Sequence, residues 1–112
     1  QPDVARGQLD EAELQQMSDK LNRDLNPDDT FYCVHDDPDI HGCRKPSPGL
    51  FYQAAKKWNI DLNKSYMVGD TWKDVEAAKN AKVNMLLLSK DYNKNLDYTN
   101  RIKKIEEILE YL

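Results

Sequence analysis

Both cysteines and both histidines of this 112-residue chain lie within one short window that runs from Cys33 to Cys43. The window has the pattern Cys-x-His, five residues, His-x-Cys, and two thiolates with two imidazoles suit a tetrahedral zinc ion. Four protein ligands leave no open coordination position, so such a site would be structural rather than catalytic. The predicted zinc ligands are Cys33, His35, His41 and Cys43.

Two other interpretations of this window stay open. One is a Cys33–Cys43 disulfide, which is disfavoured in a protein of the reducing cytoplasm. The other is coincidence, with His35 and His41 as ordinary surface histidines. We expect zinc because the chain has no cysteine or histidine elsewhere. A loop this short has no core of its own, so a metal would supply its order.

A basic pair directly follows the last of these residues. Arg44 and Lys45 precede Pro46, and a forked guanidinium beside an ammonium at a rigid turn suits a phosphate group. Taken alone, an Arg-Lys pair is more often a solvated surface feature. Arg6, beside Gly7, is a further candidate for contact with a substrate phosphate.

Two aspartates further along the chain suggest a cation site. Asp70 follows an apolar run, and Asp74 stands four residues later. A carboxylate at a strand end can hold Mg²⁺, which binds few protein oxygens and keeps several waters. Asp74 has two other possible roles, which are to fix Lys45 or a metal-bound water. The structural alternative is that Asp70 caps a helix and Asp74 is exposed on it.

Hydrophobic spacing predicts the elements that position these residues. Leucines and a methionine at helical spacing predict a helix over 10–25 with one buried face, capped by Asp10. Alternating strands and helices predict an α/β fold with a parallel sheet, whose sites lie beyond the carboxyl ends of the strands. The further elements are strands over 30–34, 65–69 and 84–88, a helix capped by Ser47 that begins at Pro48, a helix over 71–81, and a C-terminal helix over 100–112.

Composition narrows the class of protein. Hydrophobic residues make up 39% and charged residues 32%, which is typical of one small globular domain. The net charge of −4 disfavours nucleic acid or an anionic membrane as partner. No apolar run approaches the length of a membrane span, and the first ten residues contain no apolar signal segment. These features predict a cytoplasmic protein.

Three runs of the sequence, taken in order, carry a family resemblance. Residues 1–7, 33–49 and 66–70 are similar to the heptose-bisphosphate phosphatase and histidinol-phosphatase branch of the haloacid dehalogenase (HAD) superfamily. The similarity covers about residues 1–89, and its most specific part is the Cys/His window that runs directly into Arg-Lys-Pro. The resemblance implies a Rossmann-like three-layer core with an inserted zinc loop over 33–43.

The resemblance also implies a function. It implies a Mg²⁺-dependent phosphatase of a small phosphorylated metabolite, such as a sugar phosphate or a compound like histidinol phosphate, with an aspartyl-phosphate intermediate. Matched by position, Lys45 stabilises the phosphoryl group, Arg44 recognises the substrate and Asp70 holds Mg²⁺. Gln1 and Pro2 border the substrate loop.

The sequence departs from the family pattern in three ways. The first strand, with the nucleophilic and acid/base aspartates, is absent, so residues 1–112 are expected to form one partial domain that is inactive alone. Its exposed strand edges predict a homodimer. His41 stands where the family usually has Cys. Thr71 follows Asp70 where the heptose phosphatases carry Lys, which argues against a sugar bisphosphate as substrate.

Two functions from other classes remain as alternatives. A non-enzymatic, zinc-stabilised binding module would lack an Asp-x-Asp motif upstream, whereas a phosphatase requires one. A receiver-like signalling domain is the weaker alternative, because the zinc loop has no use in it. The sequence does not identify the substrate itself.

Overall fold

The computed structural model describes residues 7, 10–34 and 42–112. The predicted site residues Gln1, Pro2, Arg6, His35 and His41 therefore lie outside the described residues. The chain divides into two compact units, residues 1–44 and 45–112. The assignment of 1–112 to a single partial domain stays a prediction. Of the helices in the described part of the chain, none is both long and apolar enough to cross a bilayer.

The first unit contains helix α1, Glu11–Leu25. Its predicted N-cap is confirmed, since the Asp10 carboxylate accepts a hydrogen bond from the Glu13 amide at 2.7 Å. The expectation of one buried face holds at Leu14, which is 4% exposed. It is wrong for the rest of the stripe, because Met17, Leu21 and Leu25 are between 50% and 72% exposed.

The predicted strand over 30–34 is not formed. This segment is instead tied to α1 by two side-chain hydrogen bonds, from Thr30 to Asn22 at 2.6 Å and from Tyr32 to Gln15 at 3.0 Å. A strand needs a neighbouring strand to satisfy its backbone groups. None of the strands in residues 10–34 and 42–112 pairs with this segment.

The second unit is built on a three-stranded parallel sheet. Strands β1 (Tyr66–Gly69), β2 (Asn84–Leu88) and β3 (Arg101–Ile102) lie in the order β1-β2-β3. Both pairings are parallel, which confirms the predicted α/β fold with a parallel sheet. The centre of β2 is covered on both faces, as its apolar sequence predicts.

Two helices flank these strands in the sequence. Helix α2 spans Gly49–Trp58 and begins after Pro48 without a side-chain cap, so the predicted Ser47 cap is wrong. Helix α3 spans Trp72–Ala81 and agrees closely with the prediction. Its inward residues form a core with the central strand, and the members of this core are Val75, Ala78, Met85 and Leu87.

The predicted helix over 100–112 is wrong. Arg101 and Ile102 form β3 instead, and a 3₁₀ helix follows at Ile105–Glu110. Ile102 pairs with Leu88 and is 1% exposed, so its side chain is used in the core. The isoleucines have helical spacing, but pairing with the buried strand β2 determines the structure of this segment.

Candidate active site

The carboxyl end of β1 positions a buried carboxylate, Asp74. It lies in the first turn of α3 and is 3% exposed. Its Oδ2 accepts hydrogen bonds from the backbone amides of Asp70 and Thr71, each at 3.0 Å, and from the Thr71 hydroxyl at 2.9 Å. Its Oδ1 binds the ammonium group of Lys45. Asp74 therefore links the basic motif to the strand end.

The electrostatics of Asp74 follow from these contacts. Burial by itself raises the pKa of the Asp74 carboxyl, but the hydrogen bond from Lys45 and those from the Thr71 and Asp70 amides outweigh it. The net effect is a pKa below the ordinary value of 3.8. Asp74 is therefore ionised near neutral pH and forms an ion pair with Lys45.

Gly69 makes this approach possible. A Cβ at this position would lie 2.5 Å from the Asp74 Cβ and 2.8 Å from its Oδ2. Real side chains do not approach so closely, so any larger residue would displace the Asp74 carboxylate. The close approach of Asp74 therefore requires a glycine at the position before Asp70.

The loop that carries Lys45 is held from α3. The Pro46 carbonyl accepts a hydrogen bond from the Asn80 amide group at 3.0 Å. Tyr52 of α2 in turn donates its hydroxyl to the Asn80 carbonyl at 3.1 Å. Both contacts lie within the second unit, so the Lys45 loop and the two helices form one connected arrangement.

Asp70 lies half-buried at the same strand end. Its Oδ2 accepts a hydrogen bond from the Tyr92 hydroxyl, and this bond raises the pKa of Tyr92 above its ordinary value. Within residues 10–34 and 42–112, no cation pairs with this carboxylate. A carboxylate oxygen at a strand end fits Mg²⁺, which is a hard cation.

A small cavity lies beside Asp70. Its volume is about 150 Å³, and its walls are mostly apolar. Two aromatic residues in these walls are also open to solvent, since Trp72 is 53% and Tyr92 is 68% exposed. The lining residues are Asp70, Thr71, Trp72, Tyr92, Asn93 and Leu96.

The structure thus brings together three of the predicted site residues, Lys45, Asp70 and Asp74. Arg44 is half-buried and is the last residue of the first unit. Both carboxylate oxygens of Asp74 already have donors, which agrees with a role in fixing Lys45. The assignment of Asp74 as a magnesium ligand stays a prediction.

The expected thiolate ligands of zinc are not thiolates in this structure. Cys33 and Cys43 form a disulfide with an S–S distance of 2.06 Å, the alternative that the sequence analysis disfavoured. A sulfur atom in a disulfide is not a thiolate, and the thiolate is the form that binds metal. Among the described residues, which exclude His35 and His41, no group of three acidic, Cys or His residues is arranged to hold a metal ion.

Sequence reasoning missed two residues of this site, Tyr92 and Asn93. They lie in a short 3₁₀ helix, Asp91–Asn93, within the segment that the sequence analysis described only as a polar connection. One signal was available, because this segment directly follows a buried parallel strand. The carboxyl ends of parallel strands meet at one edge of a sheet.

Comparison with known proteins now decides the family. A family model described as HAD-hydrolase-like matches residues 42–112. The chain belongs to this family. The predicted membership of the HAD superfamily is confirmed. The matched segment includes Lys45, Asp70 and Asp74.

Relatives of this HAD-family chain have names that agree with one another. A Helicobacter pylori protein is 33% identical over all of this chain and is named D-glycero-beta-D-manno-heptose-1,7-bisphosphate 7-phosphatase. A Campylobacter jejuni protein is 28% identical over 99% of the chain and is named as the alpha-form 7-phosphatase. The chain spans 68% and 66% of these two relatives, and 53% of a similar Escherichia coli protein.

A solved structure supports the same family. The chain is similar to the crystal structure of D,D-heptose 1,7-bisphosphate phosphatase from B. bronchiseptica, with a TM-score of 0.85 and 30% identity. The similarity covers all of this chain and 72% of that one. That crystal structure contains magnesium and phosphate.

Proposed function

We propose that this chain is part of a Mg²⁺-dependent phosphatase that releases inorganic phosphate from a small phosphorylated sugar. The observation that carries the proposal is the contact of Lys45 with Asp74, whose second oxygen binds the amides beside Asp70. A fixed cation thus lies at the strand end that carries a carboxylate suited to Mg²⁺. The relatives named as heptose-bisphosphate phosphatases support a sugar phosphate as substrate.

In this proposal each residue has a distinct task. Lys45 neutralises the oxygens of the phosphoryl group, and Asp74 holds Lys45 in place. Asp70 would hold Mg²⁺, which supplies charge neutralisation at the same phosphate when bound. Arg44 would read the substrate. The net reaction consumes one water and one phosphate monoester and yields an alcohol and inorganic phosphate.

The attacking carboxylate that the family mechanism requires is not assigned to any residue of this chain. We therefore propose that the chain alone binds phosphate but does not turn over. Arg6, Gln1 and Pro2 are retained as proposed contacts of the substrate.

The zinc assignment becomes a proposal about the reduced chain. Reduction of the Cys33–Cys43 bond would regenerate two thiolates, and His35 and His41 are the other proposed ligands. Such an ion would order the loop that precedes Lys45 and take no part in the chemistry.

The proposed homodimer would use the free side of β1. Within the described residues, β1 pairs with β2 on one edge only. An unpaired edge favours pairing with another chain, and a compact, stable monomer in sedimentation would contradict the proposal.

Phosphate binding by the chain and its variants tests the proposed function. In calorimetric titrations with a hexose phosphate and Mg²⁺, Lys45→Gln should weaken binding about tenfold, because it removes the charge but keeps a donor for Asp74. Lys56→Ala, at an exposed position of α2, is the matched control and should bind as the unaltered chain does. Equal affinity of the two variants would contradict the role of Lys45. Clear turnover by the chain would show that it contains a nucleophile.

A further inference from the structure

The side chain of Tyr92 is held in place although it is mostly exposed to solvent. Its side chain is 68% exposed, yet its hydroxyl donates to Oδ2 of Asp70. An exposed tyrosine normally leaves its hydroxyl to water, since little is gained by fixing it. Here the hydroxyl instead donates a hydrogen bond to one oxygen of Asp70, the carboxylate that we assign to Mg²⁺.

The adjacent residue, Asn93, binds the backbone of the same aspartate. Its amide group donates to the Asp70 carbonyl at 2.7 Å and to the Leu88 carbonyl at 2.8 Å. Its Oδ1 accepts from the Lys90 amide at 2.9 Å. Asn93 is 2% exposed, so these bonds are shielded from competing water. Because Leu88 ends β2 and Asp70 follows β1, one side chain joins the ends of two neighbouring strands.

The third strand anchors this arrangement. Arg101 of β3 donates to Oδ1 of Asn93 at 3.3 Å and to the Asn93 carbonyl at 3.1 Å. Its Nε also donates to the Tyr98 carbonyl at 2.9 Å. The loop with Tyr92 and Asn93 is therefore fixed to the sheet, and its contact with Asp70 is not that of a freely moving loop.

We propose that Tyr92 and Asn93 form a clamp that positions Asp70 for the divalent cation, with Asn93 fixing its backbone and Tyr92 fixing one carboxylate oxygen. Neither residue touches the substrate in this proposal, so both are positioning residues. The proposal rests on the function proposed above, because it takes Asp70 as the ligand of Mg²⁺.

The physical argument is one of orientation. A lone carboxylate on a strand end rotates about two bonds, and binding a cation must restrict that rotation. A hydrogen bond to one oxygen holds the plane of the carboxylate and directs the other oxygen towards the cation. Residues that orient metal ligands in this way typically contribute 10- to 100-fold in metal affinity.

Titration of the full chain with Mg²⁺ alone tests the clamp. Tyr92→Phe keeps the ring and removes the donor, and we expect it to weaken Mg²⁺ about tenfold in calorimetry without lowering the melting temperature. Tyr32→Phe removes a hydroxyl that binds Gln15 in the first unit instead, and it should leave the affinity unchanged. Equal Mg²⁺ affinity in Tyr92→Phe and the unaltered chain would overturn the clamp.

A spectroscopic measurement separates orientation from a merely structural role. With ¹³C-labelled tyrosine, the signal lost in Tyr92→Phe identifies Tyr92 among the six tyrosines. Addition of Mg²⁺ should shift this signal in the unaltered chain and not in Asp70→Asn. An unshifted signal in the Mg²⁺-bound chain would overturn the contact between Tyr92 and the bound form of Asp70.

The Asp70→Asn variant also separates this inference from the proposed function. If Asp70→Asn abolishes Mg²⁺ binding but Tyr92→Phe does not weaken it, the clamp is wrong and the magnesium assignment stands. If Asp70→Asn binds Mg²⁺ normally, or if the unaltered chain binds none, the magnesium assignment fails and the clamp fails with it.

Discussion

At the scale of single residues, Asp74 joins the basic motif to the end of β1. One oxygen holds Lys45, and the other closes the turn between β1 and α3. The sequence analysis left open whether Asp74 binds a metal or fixes Lys45. That choice depends on which donors reach its oxygens, and only the folded chain shows them.

The buried carboxylate predicts a particular acid sensitivity. Because the folded pKa of Asp74 lies below 3.8, its contribution to stability is complete above that pH and is lost as the pH falls through the folded pKa. Asp74→Asn should lower the free energy of unfolding by about 1–3 kcal/mol near neutral pH, and this difference should narrow in strong acid. Urea unfolding at several pH values measures it.

Asp97→Asn is the control for this comparison, since Asp97 is exposed. It should change stability by less than about 0.5 kcal/mol at neutral pH. A loss in Asp74→Asn that stayed constant down to strong acid would contradict the assigned pKa direction.

At the scale of elements, the predicted helices and strands are confirmed where a segment has both a local sequence pattern and a neighbouring element to pack against. The helix over 71–81 and the strands near 66–69 and 84–88 carry both local signals and a buried face, and all three are confirmed. The predicted strand over 30–34 and the helix over 100–112 had the local pattern alone. The partners that decide such segments are distant in sequence.

Helix α1 offers a test of its uneven burial. Leu14→Ala should cost about 2–5 kcal/mol of stability, because it empties a buried position. Leu21→Ala lies on the same helix with a side chain that is 51% exposed, and it should cost less than about 0.5 kcal/mol. Denaturant unfolding of both variants measures the difference. Equal losses would mean that the whole stripe is buried in solution.

At the scale of the whole molecule, the Cys33–Cys43 pair has two exclusive states. As a disulfide it cannot supply thiolates, and as a zinc site it cannot be a disulfide. The redox environment therefore decides between them.

Elemental analysis and thiol titration distinguish the two states. The oxidised chain should have no titratable thiol and no zinc, whereas the reduced, metal-replete chain should bind about one zinc per chain. Cys33→Ser serves as the control and should lower zinc affinity under reducing conditions. Absence of zinc from the reduced chain would sink the proposed zinc site.

The sequence by itself determined the family and the α/β class and predicted Lys45, Asp70 and Asp74 as site residues, because these inferences depend on local patterns and on motif order. Tertiary structure alone decided which residues meet. The Lys45–Asp74 contact spans 29 positions, and the Tyr92–Asp70 contact spans 22. The Tyr92–Asp70 contact arises because the parallel strands β1 and β2 bring their carboxyl ends to one edge of the sheet. The Lys45–Asp74 contact arises because Asn80 of α3 holds the loop that carries Lys45, and no local pattern encodes the identity of either partner.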